Sequence, residues 1–142
     1  MKKSMMVAIL AVSIAFTACA QKLDASKVPT VVKASFAKQY PGATAKWEKE
    51  DGKYEANFKQ NENTMSAMFE LNGTFTESEM DIKVANLPTS VLAYVKEHYK
   101  GKNIKEGAKI TKADGTVNYE AEVDGKDVIF DANGKFINEA KA

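Results

Sequence analysis

Carboxylates are the main groups in this chain that could act as acids, bases or cation ligands. There are 19 Asp and Glu residues. Glu120 and Glu122 lie two positions apart, a spacing that places both side chains on one face of a β-strand. Such a pair could serve glycoside hydrolysis, but alternating charge is also typical of the solvated face of a strand. We therefore predict no catalytic residue from this pair.

The other reactive side chains are too few to form a catalytic or metal centre. His98 is the only histidine, and it lies near the end of a predicted helix, where positive charge is favoured. Cys19 is the only cysteine, which excludes a zinc site of Cys and His residues. Residues 131–134 resemble part of a calcium-binding loop, but its first and twelfth ligands would fall on Ile129 and Ala140. We predict no enzyme activity, no metal and no cofactor.

The first twenty residues have the pattern of a secretory signal peptide. Two lysines precede an uncharged apolar run over residues 5–18, and small residues follow. Cleavage after Ala20 would remove Cys19. Alternatively, residues 16–19 resemble a bacterial lipobox, in which Cys19 would be acylated and would begin the mature chain. The first alternative predicts a periplasmic protein and the second an outer-membrane lipoprotein, anchored only through Cys19.

The composition argues against nucleic-acid binding. The formal net charge is +1, and removal of Lys2 and Lys3 with the signal peptide changes it to about −1. All basic residues are lysines, and charges of both signs are interleaved. A nucleic-acid-binding protein would normally have a basic stripe and arginines for phosphate contacts.

The rest of the chain contains the same pattern twice. Residues 28–30 (Val-Pro-Thr) match residues 87–89 (Leu-Pro-Thr), and residues 54–56 match residues 119–121, both Tyr-Glu-Ala. Duplication of this kind predicts two copies of one supersecondary unit. We assign residues 21–26 to a linker, 27–83 to the first repeat and 84–142 to the second.

Each repeat is predicted to contain one helix followed by four strands. The helices begin at Pro29 and Pro88, and apolar residues recur every four positions along them. Asn-Gly and Asp-Gly dipeptides mark hairpin turns. The predicted strands cover residues 43–50, 53–59, 64–71 and 74–82 in the first repeat and residues 104–112, 116–123, 126–131 and 135–138 in the second. The fold class is α+β: a tandem (α-β-β-β-β) repeat with an antiparallel sheet and both helices on one face.

Alternation along the strands predicts a polar face that the helices leave open. This face carries acidic and amide residues, interrupted by a few apolar ones. Clustered apolar residues on such a face would indicate a binding surface, whereas scattered ones, or residues turned inward by a bulge, would carry no function. The candidate binding residues are Met68, Met80, Ile129, Ile137, Glu55 and Glu120.

The tandem pattern resembles the PepSY-like family of exported bacterial proteins. The resemblance rests on the Val-Pro and Leu-Pro helix starts, Tyr-Pro-Gly-Ala at 40–43, Trp-Glu at 47–48, the two Tyr-Glu-Ala motifs and the Asn-Gly hairpins, and it covers nearly all of residues 27–140. It implies a fold similar to that of the beta-lactamase inhibitory protein and a periplasmic or surface module without catalytic activity. No inhibitory residue of that protein matches a position here.

Two classes of function remain open. The first is a non-enzymatic envelope module that binds another envelope protein, a peptidase for example, as an inhibitor or adaptor. The second is a periplasmic carrier or sensor of a small ligand that uses the cleft between the repeats.

Overall fold

The computed structural model describes residues 20–142 and shows one nine-stranded antiparallel sheet with two helices on one face. The strands pair in chain order, from the first at one edge to the ninth at the other. Residues 1–19 of the predicted signal peptide, which include Cys19, lie outside the described residues. The strands are β1 (Gln21–Leu23), β2 (Lys46–Glu50), β3 (Lys53–Gln60), β4 (Asn63–Phe69), β5 (Phe75–Ile82), β6 (Ile104–Lys112), β7 (Val117–Val123), β8 (Lys126–Asp131) and β9 (Phe136–Lys141), and the helices are α1 (Thr30–Gln39) and α2 (Thr89–His98).

Both helices begin and end where the sequence predicts. Pro29 and Pro88 occupy the N-cap positions, and Tyr40 and Tyr99 the C-cap positions. Each C-cap backbone N–H donates to the carbonyl four residues earlier, which completes the last turn. A short 3-10 helix precedes each α-helix, at Ala25–Lys27 and Val84–Asn86. The duplication is therefore visible in the local structure.

Each helix covers a separate hydrophobic cluster on the same face of the sheet. Val32 and Phe36 of α1 pack on aromatic residues of β2, β3 and β4, including Trp47. Val91 and Val95 of α2 pack on residues of β7 and β8. The largest fully buried apolar side chains are Val32, Phe69, Val91, Val123, Val128 and Phe130. Their burial removes apolar surface from water and supplies the main favourable free energy of folding.

The two repeats form one continuous sheet rather than two lobes. Strands β5 and β6 pair over six residues, from Glu77 with Lys112 to Ile82 with Gly107. Gly107 allows a close approach, because a Cβ atom there would lie 3.2 Å from the Leu87 side chain that precedes α2. The segment that leads into the second helix is thereby packed closely on β6, next to the junction between the repeats.

Residues 21–26, expected to be a linker, contain strand β1. Leu23 pairs with Trp47 and packs on the first hydrophobic cluster. Its counterpart is Ile82 at the end of β5, which pairs with Gly107 and packs on the second cluster. The repeat thus begins with a strand before its helix. The prediction missed this strand because three residues are too few to show alternation.

Bulges shift the alternation in three strand pairs, β4–β5, β6–β7 and β8–β9. Phe69 pairs with Phe75, whereas Met68 pairs with Glu77, so Thr76 has no cross-strand partner. Unbroken alternation along β5 would place Met80 on the open face, as the sequence predicts. The extra residue reverses which side chains of β5 point to each face. Met80 therefore lies on the helix-covered face, where it pairs with Met65 of β4. The assignment of Met80 to the open face was therefore wrong.

Candidate functional site

The open face of the sheet is concave, and much of it is buried although both helices lie on the other side. Several residues from β3 to β8 that point to this face have less than a tenth of their surface exposed. A flat sheet would leave them accessible, so the sheet must curl around them. The buried residues of the open face are Glu55, Ser66, Met68, Glu79, Ala108, Ile110, Asn118, Asp127 and Ile129.

A cavity of about 340 Å³ lies in this concave face and crosses the junction between the repeats. Its lining comes from β3, β4 and β5 of the first repeat and from β6, β7 and β8 of the second. None of the described residues that line it is a lysine. Its carboxylates are Glu79, Asp81, Glu106, Glu120, Glu122 and Asp127. We call this cavity with its six carboxylates the acidic cavity.

The strand register brings these carboxylates together. Asp81 of β5 pairs with Ala108 of β6, which pairs with Glu120 of β7. Because alanine is small, space remains above the middle strand between the acidic residues on either side. Glu122 pairs with Asp127 of β8 in the next row. Alternation explains why each carboxylate points to the open face, but the curl decides how near they approach.

Two of the buried carboxylates have oxygens without a hydrogen-bond partner. Glu79 is 8 % exposed, and its Oε2 accepts no hydrogen bond, while Glu55 is fully buried and neither of its oxygens accepts one of standard geometry. Oε2 of the half-buried Glu120 is also unpartnered. A buried carboxylate without a partner is costly, because it has lost its hydration without compensation.

Burial and mutual repulsion raise the pKa values of these carboxyls. Burial raises the pKa of Glu55 to about 7, since the neighbouring Ser66 hydroxyl offsets only part of the desolvation cost. Burial, followed by the charges of Asp81 and Glu55, raises the pKa of Glu79. The pKa of Glu120 is raised by burial and then by Glu79. Carboxyls perturbed in this way inside a concave surface are typical of functional sites.

Comparison with known proteins identifies the family. Two overlapping segments, residues 16–77 and 52–138, match the model of the beta-lactamase-inhibitor-like, PepSY-like family. The chain belongs to the PepSY-like family. Among curated proteins, none matches it.

Solved structures confirm the fold of this PepSY-like chain. It is similar to a periplasmic protein of Bacteroides eggerthii with 15% identity and a TM-score of 0.73, covering 80% of this chain and 88% of the other. A DUF2874 family protein of Bacteroides uniformis has 19% identity and a TM-score of 0.72, with the same two coverages. A BLIP-like protein of Bacteroides fragilis has 22% identity and a TM-score of 0.67, covering 80% of this chain and 86% of the other. The predicted α+β architecture is thus confirmed.

The candidate residues predicted from the PepSY-like sequence are only partly brought together. Glu55, Met68, Glu120 and Ile129 all lie on the concave face. Met68 and Ile129 are 7 % and 4 % exposed, so they line the concave face without forming an exposed apolar patch. Ile137 is the unpaired residue of the bulge in β9, and it is 43 % exposed.

The acidic cavity was not predicted from the sequence. Glu79, Asp81, Glu106 and Asp127 were not selected, because acidic residues on an open strand face are normally solvated. Alternation of acidic residues in β5 and β7 was the available signal. Among the described residues, no group of three or more Asp, Glu, His or Cys side chains is arranged to hold a metal ion. Within the same part of the chain, no helix is long and apolar enough to cross a membrane.

Proposed function

We propose that this PepSY-like chain is a non-enzymatic, exported binding module that holds a protein partner against its concave face. The observation that supports the proposal is the acidic cavity, in which Glu79 and Glu120 have unpartnered oxygens. A bound partner that donates hydrogen bonds to these oxygens would compensate for their lost hydration. A hydrogen bond to a buried oxygen without a partner contributes more free energy than one to an exposed oxygen. The free protein would then be less stable than its complex.

Binding is favoured over catalysis by the position of the remaining reactive groups. His98 stacks on Tyr94 with 4.1 Å between ring centroids, and both lie on α2, on the other side of the sheet. The acidic cavity therefore has carboxylates but no histidine near it. General acid–base catalysis by carboxyls alone needs a reacting group positioned between them. We infer that these carboxyls bind a partner group rather than catalyse a reaction.

The family and its neighbours support the envelope as the location. The similar solved structure from Bacteroides eggerthii is described as periplasmic, and residues 1–20 have the pattern of a signal peptide. The partner would then be another envelope protein, with this chain as an inhibitor or adaptor. Peptidases are one candidate class of partner.

Crosslinking in intact cells of a native-like host tests this proposal. Tagged protein would be crosslinked and captured, and the bound proteins identified by mass spectrometry. Glu106 lies exposed at the cavity, so Glu106→Lys changes its charge without disturbing the core. Glu97→Lys makes the same change on the exposed side of α2 and is the matched control. We expect one saturable partner, captured by the wild type and by Glu97→Lys but not by Glu106→Lys.

Two other results would change the conclusion. Equal capture by both variants would exclude the concave face as the binding surface. Absence of any saturable partner would favour a carrier or sensor of a small ligand, for which the volume of about 340 Å³ is also suitable. A thermal-shift screen of the same sample would then be informative, because a ligand that binds only the folded state raises its melting temperature.

A further inference from the structure

The acidic cavity has the charge and the unsatisfied acceptors of a receptor for a cationic group. Its lining contains six carboxylates. Among them Glu122 has an ion pair, at 3.0 Å from Lys105, a residue whose side chain is 70% exposed. Glu79 is more than nine-tenths buried, lines the cavity and has an oxygen without a partner. A ligand with several N–H donors and a positive charge would complement both properties.

The arrangement suits an organic cation better than a metal ion. Calcium requires six to eight oxygen ligands at about 2.3–2.6 Å around one point. In the part of the chain that the structure describes, no three carboxylates converge in this way. The carboxylates of the cavity come from four strands, β5, β6, β7 and β8, and neighbouring strands are about 4.8 Å apart. A cation that spreads its donors over several ångströms fits this spacing.

Arginine fits the site better than lysine. Its guanidinium is planar, has five donors and bridges two carboxylates, whereas an ammonium is a compact charge. A guanidinium also keeps its proton when it is desolvated, but a buried ammonium tends to lose it. The volume of about 340 Å³ is near the lower limit for small-ligand sites, so one extended side chain is a suitable occupant.

We propose that the acidic cavity receives an arginine side chain of the protein partner, with the guanidinium donating to Glu79 and Glu120. The proposal rests on the proposed function, because the arginine belongs to the protein held on the concave face. It adds the chemistry of recognition: a partner with an arginine on a protruding segment binds, and one without it does not.

A peptide titration followed by NMR tests the proposal. The probe is capped Ala-Arg-Ala, and the neutral control is the same peptide with citrulline, which has nearly the same shape without the charge. The backbone amides of the ¹⁵N-labelled protein would be followed at pH 8.5, where more of the cavity carboxyls are ionised. We expect saturable shifts confined to β3–β8, the strands that line the cavity. We expect the citrulline peptide to bind at least tenfold more weakly, because hydrogen bonds between charged groups are about twice as strong as neutral ones.

Variants of the protein locate the contact. Glu79→Gln and Glu120→Gln should each weaken the binding of the arginine peptide about tenfold, since each substitution removes a charged acceptor. Glu97→Gln, on the exposed side of α2, should leave binding unchanged. Two cavity variants are used so that one remains informative if the other loses its folded spectrum.

Several results would overturn the proposal. These are equal binding of the arginine and citrulline peptides, equal binding of a lysine peptide, shifts outside β3–β8, or unchanged binding by both cavity variants. Saturable shifts of the same amides with calcium chloride alone would replace arginine with a metal ion. If the crosslinked partner is still lost in Glu106→Lys while the peptide shows no arginine preference, the arginine proposal fails and the proposed function stands. If no partner is captured at all, the proposed function fails.

Discussion

Replacing Glu55 with glutamine should remove part of the pH dependence of stability. The Glu55 side chain is fully buried, and burial raises its pKa from 4.5 to about 7. A raised pKa means that the folded state holds the proton more tightly than the unfolded state does. The contribution of Glu55 to stability is therefore complete below pH 4.5 and is lost as the pH rises toward 7.

The magnitude follows from the two pKa values. Each pH unit between them corresponds to about 1.36 kcal/mol, so ionising Glu55 costs roughly 3 kcal/mol of folding free energy. Part of this cost is already present at pH 5, and the loss between pH 5 and pH 8 is about 2–3 kcal/mol. The charge of Glu55 also raises the pKa of Glu79, so the uncharged glutamine relieves that repulsion as well.

Urea unfolding at pH 5 and pH 8 measures the effect. The wild type should lose about 2–3 kcal/mol more than Glu55→Gln between the two pH values. Glu97→Gln, an exposed substitution on α2, should follow the wild type within about 0.5 kcal/mol. If Glu55→Gln and the wild type lose the same free energy, Glu55 is not a buried acid of raised pKa and the reasoning is refuted.

Two further predictions concern the fold. Gly134→Ala should lower the free energy of unfolding more than Gly125→Ala does. Both glycines have positive φ, but a Cβ at Gly134 would clash with Ser90 Oγ, whereas a Cβ at Gly125 would have no neighbour within 4 Å. We expect a loss of about 1–2 kcal/mol for Gly125→Ala and at least 1 kcal/mol more for Gly134→Ala by urea unfolding, and equal losses would contradict the contact with α2. Phe130→Ala should destabilise the protein by about 3–5 kcal/mol in the same assay, because the ring is fully buried beneath α2. A loss below about 1 kcal/mol would show that the second cluster is not a packed core.

Regular features of the chain were predictable from the sequence, and irregular ones were not. Duplication and the Asn-Gly and Asp-Gly turns predicted four hairpin-connected strands in each repeat, because antiparallel neighbours need only short connections. The bulge at Thr76 was not predictable in this way, since one extra residue leaves no compositional signal while it reverses the alternation beyond it.

The curl of the sheet explains why the site was mostly missed. Glu55 and Glu120 were selected as candidate binding residues of an open face, but the structure shows Glu55 to be fully buried. Curvature arises from the summed twist of nine strands, and no local pattern reports it. The depth of the acidic cavity was therefore not predictable from any single strand.

The continuous sheet has a consequence for when the protein becomes able to bind. All strands pair with their neighbours in the chain, so most pairings close short hairpin loops, which form early and at low entropic cost. The pairing of β5 with β6 has to span α2, and it joins the residues most distant in sequence, Glu77 and Lys112. We expect this pairing to form late. Because the acidic cavity takes its walls from both sides of that junction, it exists only after the repeats have docked, and a partner can recognise only the completely folded chain.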